Sequence, residues 1–600
     1  MGVPGLTRGL APYTETAVLG KGDHVPQNMR QISRLTIDGP SLAYHVYNKL
    51  LAHHYSKYNK ALRWPNYQDI GQATLQLLSD LVETGTDVEA LYFDGFLPAS
   101  KFATRLARLE RSRKQIEKFC EGNHINPKAT VGAIEIDYND ARWTHLVGPG
   151  SACSLPAPPF LVPAVVDALR LSSWESKLHV VAEEADTSCA RLAKATGASI
   201  LSNDSDLLLY DIGDEACVVQ LQSLDRHENI GAELRNEITA TYIHPPTIAR
   251  KLKVPSLISP AYEIHKDGSA TFGTAVKKAR TSKEGQDLCD LEAFAAEYRI
   301  GDDRPTAHPL SKLDPRTAEL CCQVFQPSAT EPKLFLPVLY EDPHGKSAWR
   351  CGSAYRQLAY SILASIVSWS RGEVCEYYKK GEAIRPNAVC TLGKMKQAHT
   401  VDAVLQLAES ASVIPVSSIG WYMTALHVVV QERAGKGWLV DLNRFRALMG
   451  CSNGSREAER GLIHLEAQVQ AVLYSLRILK QMVDFVLTLD GTNLPDQQPL
   501  QSLAHCLSTM PSIPELFTNP SQRQKSVETN SLDVDTLLAP IMSLLPTMRG
   551  KATKKTAPLR REDSSTLQGQ KGAKQSKDRA GGHGYAAARH NVFDVLHNIG

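Results

Sequence analysis

Six acidic residues in the first third of the chain sit at or just beyond the ends of short apolar runs, and this repetition constrains the fold more than any other feature. Leu35-Thr36-Ile37 leads into Asp38, and Ala90-Leu91-Tyr92-Phe93 into Asp94. Val180-Val181-Ala182 leads to Glu184 and Asp186, and Ile200-Leu201-Ser202 to Asp204 and Asp206. Short continuous apolar runs read as strands buried on both faces, the habit of a parallel sheet. The strands of such a sheet all end along one edge, and open α/β sheets bind ligands in the crevice outside it. Carboxylates gathered there repel one another, and their pKa values rise unless a cation holds them together. An all-oxygen set without His or Cys favours Mg²⁺ or Mn²⁺ over zinc. The competing reading is local: Asn, Asp and Ser cap helices and make turns, so Ser202-Asn203-Asp204-Ser205-Asp206 alone could be a capping segment. The weight lies in the set.

The surroundings of the acids carry a resemblance. The chain begins Met1-Gly2-Val3-Pro4-Gly5-Leu6, continues to Ile37-Asp38-Gly39-Pro40-Ser41-Leu42-Ala43-Tyr44, then to Tyr92-Phe93-Asp94-Gly95. Glu183-Glu184-Ala185-Asp186 and Asn203-Asp204-Ser205-Asp206-Leu207-Leu208 follow. In this order and spacing they resemble the flap endonuclease/XPG family of structure-specific nucleases, its Asteroid branch above all. Pro156-Ala157-Pro158-Pro159-Phe160-Leu161-Val162-Pro163, Tyr262-Glu263-Ile264 and Arg356-Gln357-Leu358-Ala359-Tyr360-Ser361 extend the likeness to that branch. The resemblance implies a PIN-like, three-layer α/β domain with a central, mostly parallel sheet. It assigns Asp38, Asp94 and Glu184 to one of two metal ions and Asp186, Asp204 and Asp206 to the other. Such a pair, about 4 Å apart, activates a water and stabilises the charge of phosphodiester hydrolysis. It also brings Gly2 close to the substrate. A myristoylation reading of Gly2 fails, because position six is Leu6.

Directly after Asp94 comes a basic run: Lys101, Arg105, Arg108, Arg111, Arg113, Lys114 and Lys118 against Glu110 and Glu117. On a helix, positions 101, 105, 108 and 112 share one face, as do 104, 108 and 111. A solvated surface stripe would look the same. The family places a basic arch helix here, about residues 96–120, whose Lys and Arg seven residues apart reach the scissile phosphate. Lys101 and Arg108 match that spacing and are assigned to transition-state stabilisation, with Arg105 and Arg111 gripping flanking phosphates. Tyr44, six residues past Asp38, stands where the family stacks a Tyr on a base, an interaction worth about 1–3 kcal/mol. A packing role for that ring is the alternative.

One segment departs from the family. Where a seventh acid and a Gly-rich duplex-binding motif are expected, the chain reads Ser256-Leu257-Ile258-Ser259-Pro260-Ala261-Tyr262-Glu263-Ile264-His265-Lys266-Asp267-Gly268. Glu263, or less strongly Asp267, would be the substitute ligand. The weakened duplex grip suits single-stranded, overhanging or flapped DNA ends.

The rest of the chain sets bounds. Six hundred residues with 43% hydrophobic content can bury a large core. The expected division is a nuclease domain over 1–300, a mainly helical Asteroid-type domain over 301–545, a disordered basic tail over 546–590 and a short segment over 591–600. Within the first, the Pro-rich stretch 149–163 reads as an ordered or semi-rigid connector. Helical periodicity marks Ser353 to Trp369, Met395 to Ser410, Gly420 to Glu432 and Ala458 to Leu487, with Ile414 to Gly420 as a connector. The net charge of +2 hides a tail of +7 over 549–579, where ten Lys or Arg face Glu562, Asp563 and Asp578. That tail reads as a nuclear localisation signal or nucleic-acid tether, with a solubilising role as the alternative. The twelve cysteines make no CxxC pair, which points to a reducing compartment. No signal peptide and no apolar run long enough to cross a bilayer is present, so no membrane partner is expected.

The expectation is thus a nuclear, and also cytoplasmic, Mg²⁺- or Mn²⁺-dependent nuclease acting on single-stranded or flapped DNA in repair. Two rival readings stand beside it: a catalytically inactive nuclease-fold adaptor for nucleic acid or repair proteins, and an RNA-directed nuclease of the same fold.

Overall fold

The computed structural model describes residues 3–21, 29–57, 65–122, 156–228, 236–281, 283–301, 310–325, 331–367, 372–434, 442–451, 456–489 and 497–544. Gly2, the start of the Pro-rich stretch and the basic tail lie outside the described residues.

The apolar runs next to the acids form the strands expected. In chain order the front of the molecule contributes β1 (Glu15–Leu19), β2 (Arg30–Ile32), β3 (Arg34–Asp38), β4 (Asp87–Asp94), β5 (Leu178–Val181), β6 (Ser199–Ser202), β7 (Val218–Gln220), β8 (Asp225–Glu228) and β9 (Asn236–Ile243). Among the described residues they form one nine-stranded sheet in the order β2-β1-β9-β7-β6-β3-β4-β5, with β8 paired to β9. The run β7-β6-β3-β4-β5 is parallel throughout. Antiparallel β9, set between β1 and β7, breaks the parallel order.

Leu35, Thr36 and Ile37 of β3 are buried along the whole strand, as a central strand covered on both faces requires. Register pairs Ile37 with Leu91 on one side and Leu201 on the other, so β3, β4 and β6 end together. Helices Gly39–Lys57, Tyr67–Glu83 and Leu161–Arg170 supply one apolar layer, and helix Ala185–Thr196 packs across β3, β4 and β6. Glycine follows both strand-end aspartates for a steric reason. A Cβ at Gly39 would overlap the Phe93 ring, and one at Gly95 would overlap the Val181 carbonyl.

The back half is built on helix Arg456–Thr488, which packs against helices Ser353–Ala364 and Ser417–Ala434. Helix Lys394–Ser412 joins the latter through a connector shorter than expected, since Ser417 already starts the next helix. The back half also holds a second sheet of β10 (Lys333–Phe335), β11 (Glu373–Lys380) and β12 (Ala383–Cys390).

The apolar core does not pause near residue 300. Leu35 and Leu178 of the front belong to the same buried cluster as Leu473, Phe485 and Ile541 of the back. Phe160, at the end of the Pro-rich stretch, is fully buried between the rings of Tyr474 and Phe517, each centred 4.4 Å away. Beside it, Arg477 Nη2 donates to Asp167 (2.7 Å) and Asp314 (2.8 Å), its Nε donates to Asp314 (2.8 Å), and the Ile513 N–H donates to Asp167 (2.9 Å).

Candidate active site

All six strand-end acids line one open cavity of about 1350 Å³, beyond the roughly 300–1,000 Å³ of small-molecule sites and on the scale of a polymer cleft. Its floor is the carboxyl edge of the parallel sheet. Asp38 ends β3 and Asp94 ends β4. Glu184 is the N-cap of helix Ala185–Thr196 and Asp186 lies in its first turn, where the helix dipole favours negative charge. Asp204 and Asp206 follow β6.

Short polar neighbours orient these carboxylates. Asp38 accepts from the Ser202 hydroxyl (2.6 Å) and the Ser41 N–H (3.2 Å), and Asp94 accepts from the Ala185 N–H (2.8 Å). Asp206 accepts from the Val3 N–H (3.1 Å), which brings the beginning of the described chain to the floor. The Asp206 N–H in turn donates to Asp204 (3.1 Å). The capping chemistry of Ser202 to Asp206 is therefore present together with the clustering. The capping reading and the site reading describe the same atoms.

Crowding has its electrostatic signature. Burial first, then the Asp204 and Asp94 carboxylates, push Asp38 up to about 7. Burial and then Glu184 push Asp94 up to about 6, and burial and then Asp204 do the same for Asp206. Asp186 is raised well above the ordinary range by burial and by Asp38, Asp204 and Asp94. Lys101 is ion-paired with Glu184; burial works against its charge, but that carboxylate holds the ammonium above its ordinary value. Among the described residues no three His, Cys, Asp or Glu side chains converge tightly enough to hold an ion as they stand. The donor chemistry nonetheless fits hard divalent cations: every candidate is an oxygen, the crowded carboxyls are raised by burial and by one another, and among the described residues Lys101 is the cation ion-paired into the cluster.

The roof is helix Phe102–Gly122, the expected arch, entered through the short turn Ala99–Lys101. Lys101, Arg105, Arg108 and Arg111 all line the cavity, on the face that the three- and four-residue spacing implies. The opposite face is apolar: Leu106, Leu109, Ile116 and Cys120 pack with Val338 and Ile384 of the back half. The arch is further fastened by Glu110, which accepts from the Ile384 N–H (3.0 Å), and by Phe102, whose ring meets those of Phe335 and Tyr377. Arg105 differs from expectation. Its guanidinium is bound by both carboxylate oxygens of Glu319 and lies 4.0 Å from the Phe335 ring centre, so it fastens the arch instead of offering a free grip. Among the described residues Arg108 and Arg111 make no ion pair. Tyr44 is 42% exposed and lies in the cavity wall.

Neither candidate for a seventh acid lines the cavity. Glu263 is buried and ion-paired with Lys283, and Asp267 caps Ser269 at an exposed turn. Residues that sequence reasoning did not single out include Ser41 and Ser202 under Asp38, and Glu319 and Arg316 from the back half. The two serines lay inside the quoted motifs. Glu319 and Arg316 sit in an ordinary amphipathic helix, Pro315–Phe325, with no local mark of function.

A family model described as "XPG domain containing" matches residues 157–391, a stretch that starts after the arch and crosses the joint into the second sheet. Asteroid homolog 1 of Schizosaccharomyces pombe (strain 972 / ATCC 24843) is 26% identical over 401 residues, 64% of this chain and 65% of that protein. The chain thus aligns with less than two thirds of the relative's length. Proteins of the XPG type are nucleases that generally use divalent metals. Strand-end acids on a parallel sheet and a basic arch above them thus accompany a similarity to the XPG domain and to an Asteroid homolog.

Proposed function

We propose that the protein is a divalent-cation-dependent nuclease that hydrolyses phosphodiester bonds in single-stranded or flapped DNA. The observation that carries this reading is the polarity of one cleft: six carboxylates on the floor face Lys101, Arg108 and Arg111 on the roof. A phosphate between those layers has cations of the protein above it and room for cations held by the acids below it. Asp38, Asp94, Glu184, Asp186, Asp204 and Asp206 are the residues that would hold two Mg²⁺ or Mn²⁺ ions. Bound there, the ions supply an activated water and charge stabilisation at the phosphate. Arg108 offers an unpaired guanidinium to the charge that develops on the phosphate. Lys101, already within the field of Glu184, Asp186 and Asp206, positions and neutralises the floor until a substrate phosphate competes for it. Tyr44 offers a ring to an unpaired base. A role in repair and a nuclear location, through the basic tail over 549–579, belong to the same proposal.

The adaptor reading draws support from the lack of a converged carboxylate trio and from Lys101 already occupying Glu184. One experiment separates the two. End-labelled single-stranded, 5′-flap, 3′-flap and blunt DNA, with single-stranded RNA alongside, are incubated with Mg²⁺ or Mn²⁺ and either the natural chain or Asp204→Ala/Asp206→Ala. Cutting that vanishes in the double variant, with melting unchanged, is expected. Binding without cutting of any substrate would establish the adaptor, and cutting of RNA alone would move the substrate class.

A further inference from the structure

The cleft has a second wall, built by the back half, whose cation has no role in the reading so far. Arg316 lines the cavity from helix Pro315–Phe325. Its neighbours in the chain and in space are neutralised: Arg105 by Glu319, Arg170 and Arg477 by Asp167 and Asp314. Among the described residues Arg316 makes no ion pair. It is held by a neutral partner, its Nη1 donating to the Tyr474 hydroxyl (3.3 Å) with the guanidinium 6.0 Å from that ring. Tyr474 is itself fixed, buried against Phe160 and hydrogen-bonded to Asp314 (3.3 Å). A partly exposed guanidinium on a rigid support, facing a cavity and lacking a carboxylate, is a standing offer to an anion.

Its position gives that anion a chemistry. Tyr44, Arg108 of the roof and Arg316 of the back wall line the same cavity, with the Tyr44 ring 42% exposed in it and the fields of both cations reaching its phenol. Alternation of base-sized ring and phosphate-sized cation is the pattern by which proteins hold one unpaired strand. The arch above cannot swing away freely, being fastened to the back half through Arg105–Glu319, Phe102 and Glu110.

We propose that Arg316 is a phosphate contact for a single nucleic-acid strand lying between Arg108 and the back wall, so that residues beyond 300 complete the substrate site. This rests on the nucleic-acid reading of the cleft. It assigns to the back half a share in strand choice, since a duplex stacks its bases on each other and has none to give Tyr44.

The test uses the full chain, a chelator to suppress cleavage, and anisotropy of a short labelled oligothymidine and of a blunt duplex across a salt series. Arg316→Gln keeps an N–H for Tyr474 and removes the charge. Its single-strand affinity is expected to fall about tenfold, as for loss of a charge-assisted hydrogen bond. The slope of log affinity against log salt should flatten by about 0.7, the value for one phosphate of a single strand. Arg316→Lys should recover most of both, and duplex affinity should change less than twofold. The slope guards against misfolding, because a smaller folded fraction lowers the apparent affinity by the same factor at every salt concentration and leaves the slope unchanged. Unchanged single-strand binding, equal losses on strand and duplex, or failure of the natural chain to bind the strand would each overturn the proposal. Failure of the nuclease reading looks different: the natural chain would bind the strand with the Arg316 dependence intact and cut nothing when Mg²⁺ is supplied.

Discussion

Asp314 at the joint and Asp38 on the cleft floor are both buried aspartates, and their carboxyls are displaced in opposite directions. Burial works to raise Asp314, but Arg477, donating from two nitrogens, and Arg170 nearby hold it below the ordinary carboxylate range. Asp38 receives a serine hydroxyl and one N–H, faces other carboxylates, and is pushed up to about 7. Burial alone therefore does not decide what a buried acid is for. Where the chain supplies its own counter-charge, the acid ties elements together; where it withholds it, the acid is kept for something that arrives from outside.

The contrast can be broken at either end. The largest effect is expected from Arg477→Ala, which leaves Asp167 and Asp314 in the joint with only the more distant Arg170, 3.5 and 3.8 Å away, as a cation. Urea unfolding should show a loss of about 3–5 kcal/mol; a loss below about 1 kcal/mol would mean that the joint is not held by charge. Next comes Asp38→Asn. The folded Asp38 keeps its proton to about pH 7, whereas an unfolded aspartate gives it up near 3.9. Between those values the folded state binds more protons, so in metal-free protein this residue costs stability increasingly as pH rises. Asp38→Asn should match the natural chain near pH 4 and exceed it by about 4 kcal/mol at pH 7. Added Mg²⁺ should narrow the gap. A pH-independent difference would remove the crowding argument. The smallest effect is expected from Glu319→Gln, about 1–2 kcal/mol for one partly buried ion pair. Its clearer sign is faster hydrogen exchange confined to the arch, and uniform exchange across the front would show that Arg105 does not fasten it.

The floor of the cleft was legible in the sequence because each acid follows a short apolar run that forms a strand, a local pattern that survives folding unchanged. The roof was half legible. Helical spacing put Lys101, Arg105, Arg108 and Arg111 on one face, but the partner that takes Arg105 lies more than two hundred residues away, and no local pattern announces such a pairing. Arg316 was hidden for the same reason. Between about 300 and 545 the sequence shows a few strand-like stretches in a mainly helical pattern, but it does not locate the sheet, because β10 is three residues long and β12 carries Pro386, which a propensity argument reads against a strand and which only an edge position accommodates. Glu263 misled because its neighbours resemble a family segment, while its partner Lys283, twenty residues on, cannot be inferred from resemblance.

The Phe160 stack has a consequence for how such a chain can change over generations. A ring that meets Tyr67 of the front and stacks on Tyr474 and Phe517 of the back is shared property. Neither half can be transplanted into another protein without exposing a matched aromatic surface, and an isolated front half would carry that face into solvent as an aggregation hazard. Recombination at the joint is thereby discouraged. Substitutions on one side of the ring are filtered by what the other side tolerates, so the acidic edge and the helical half are expected to change together.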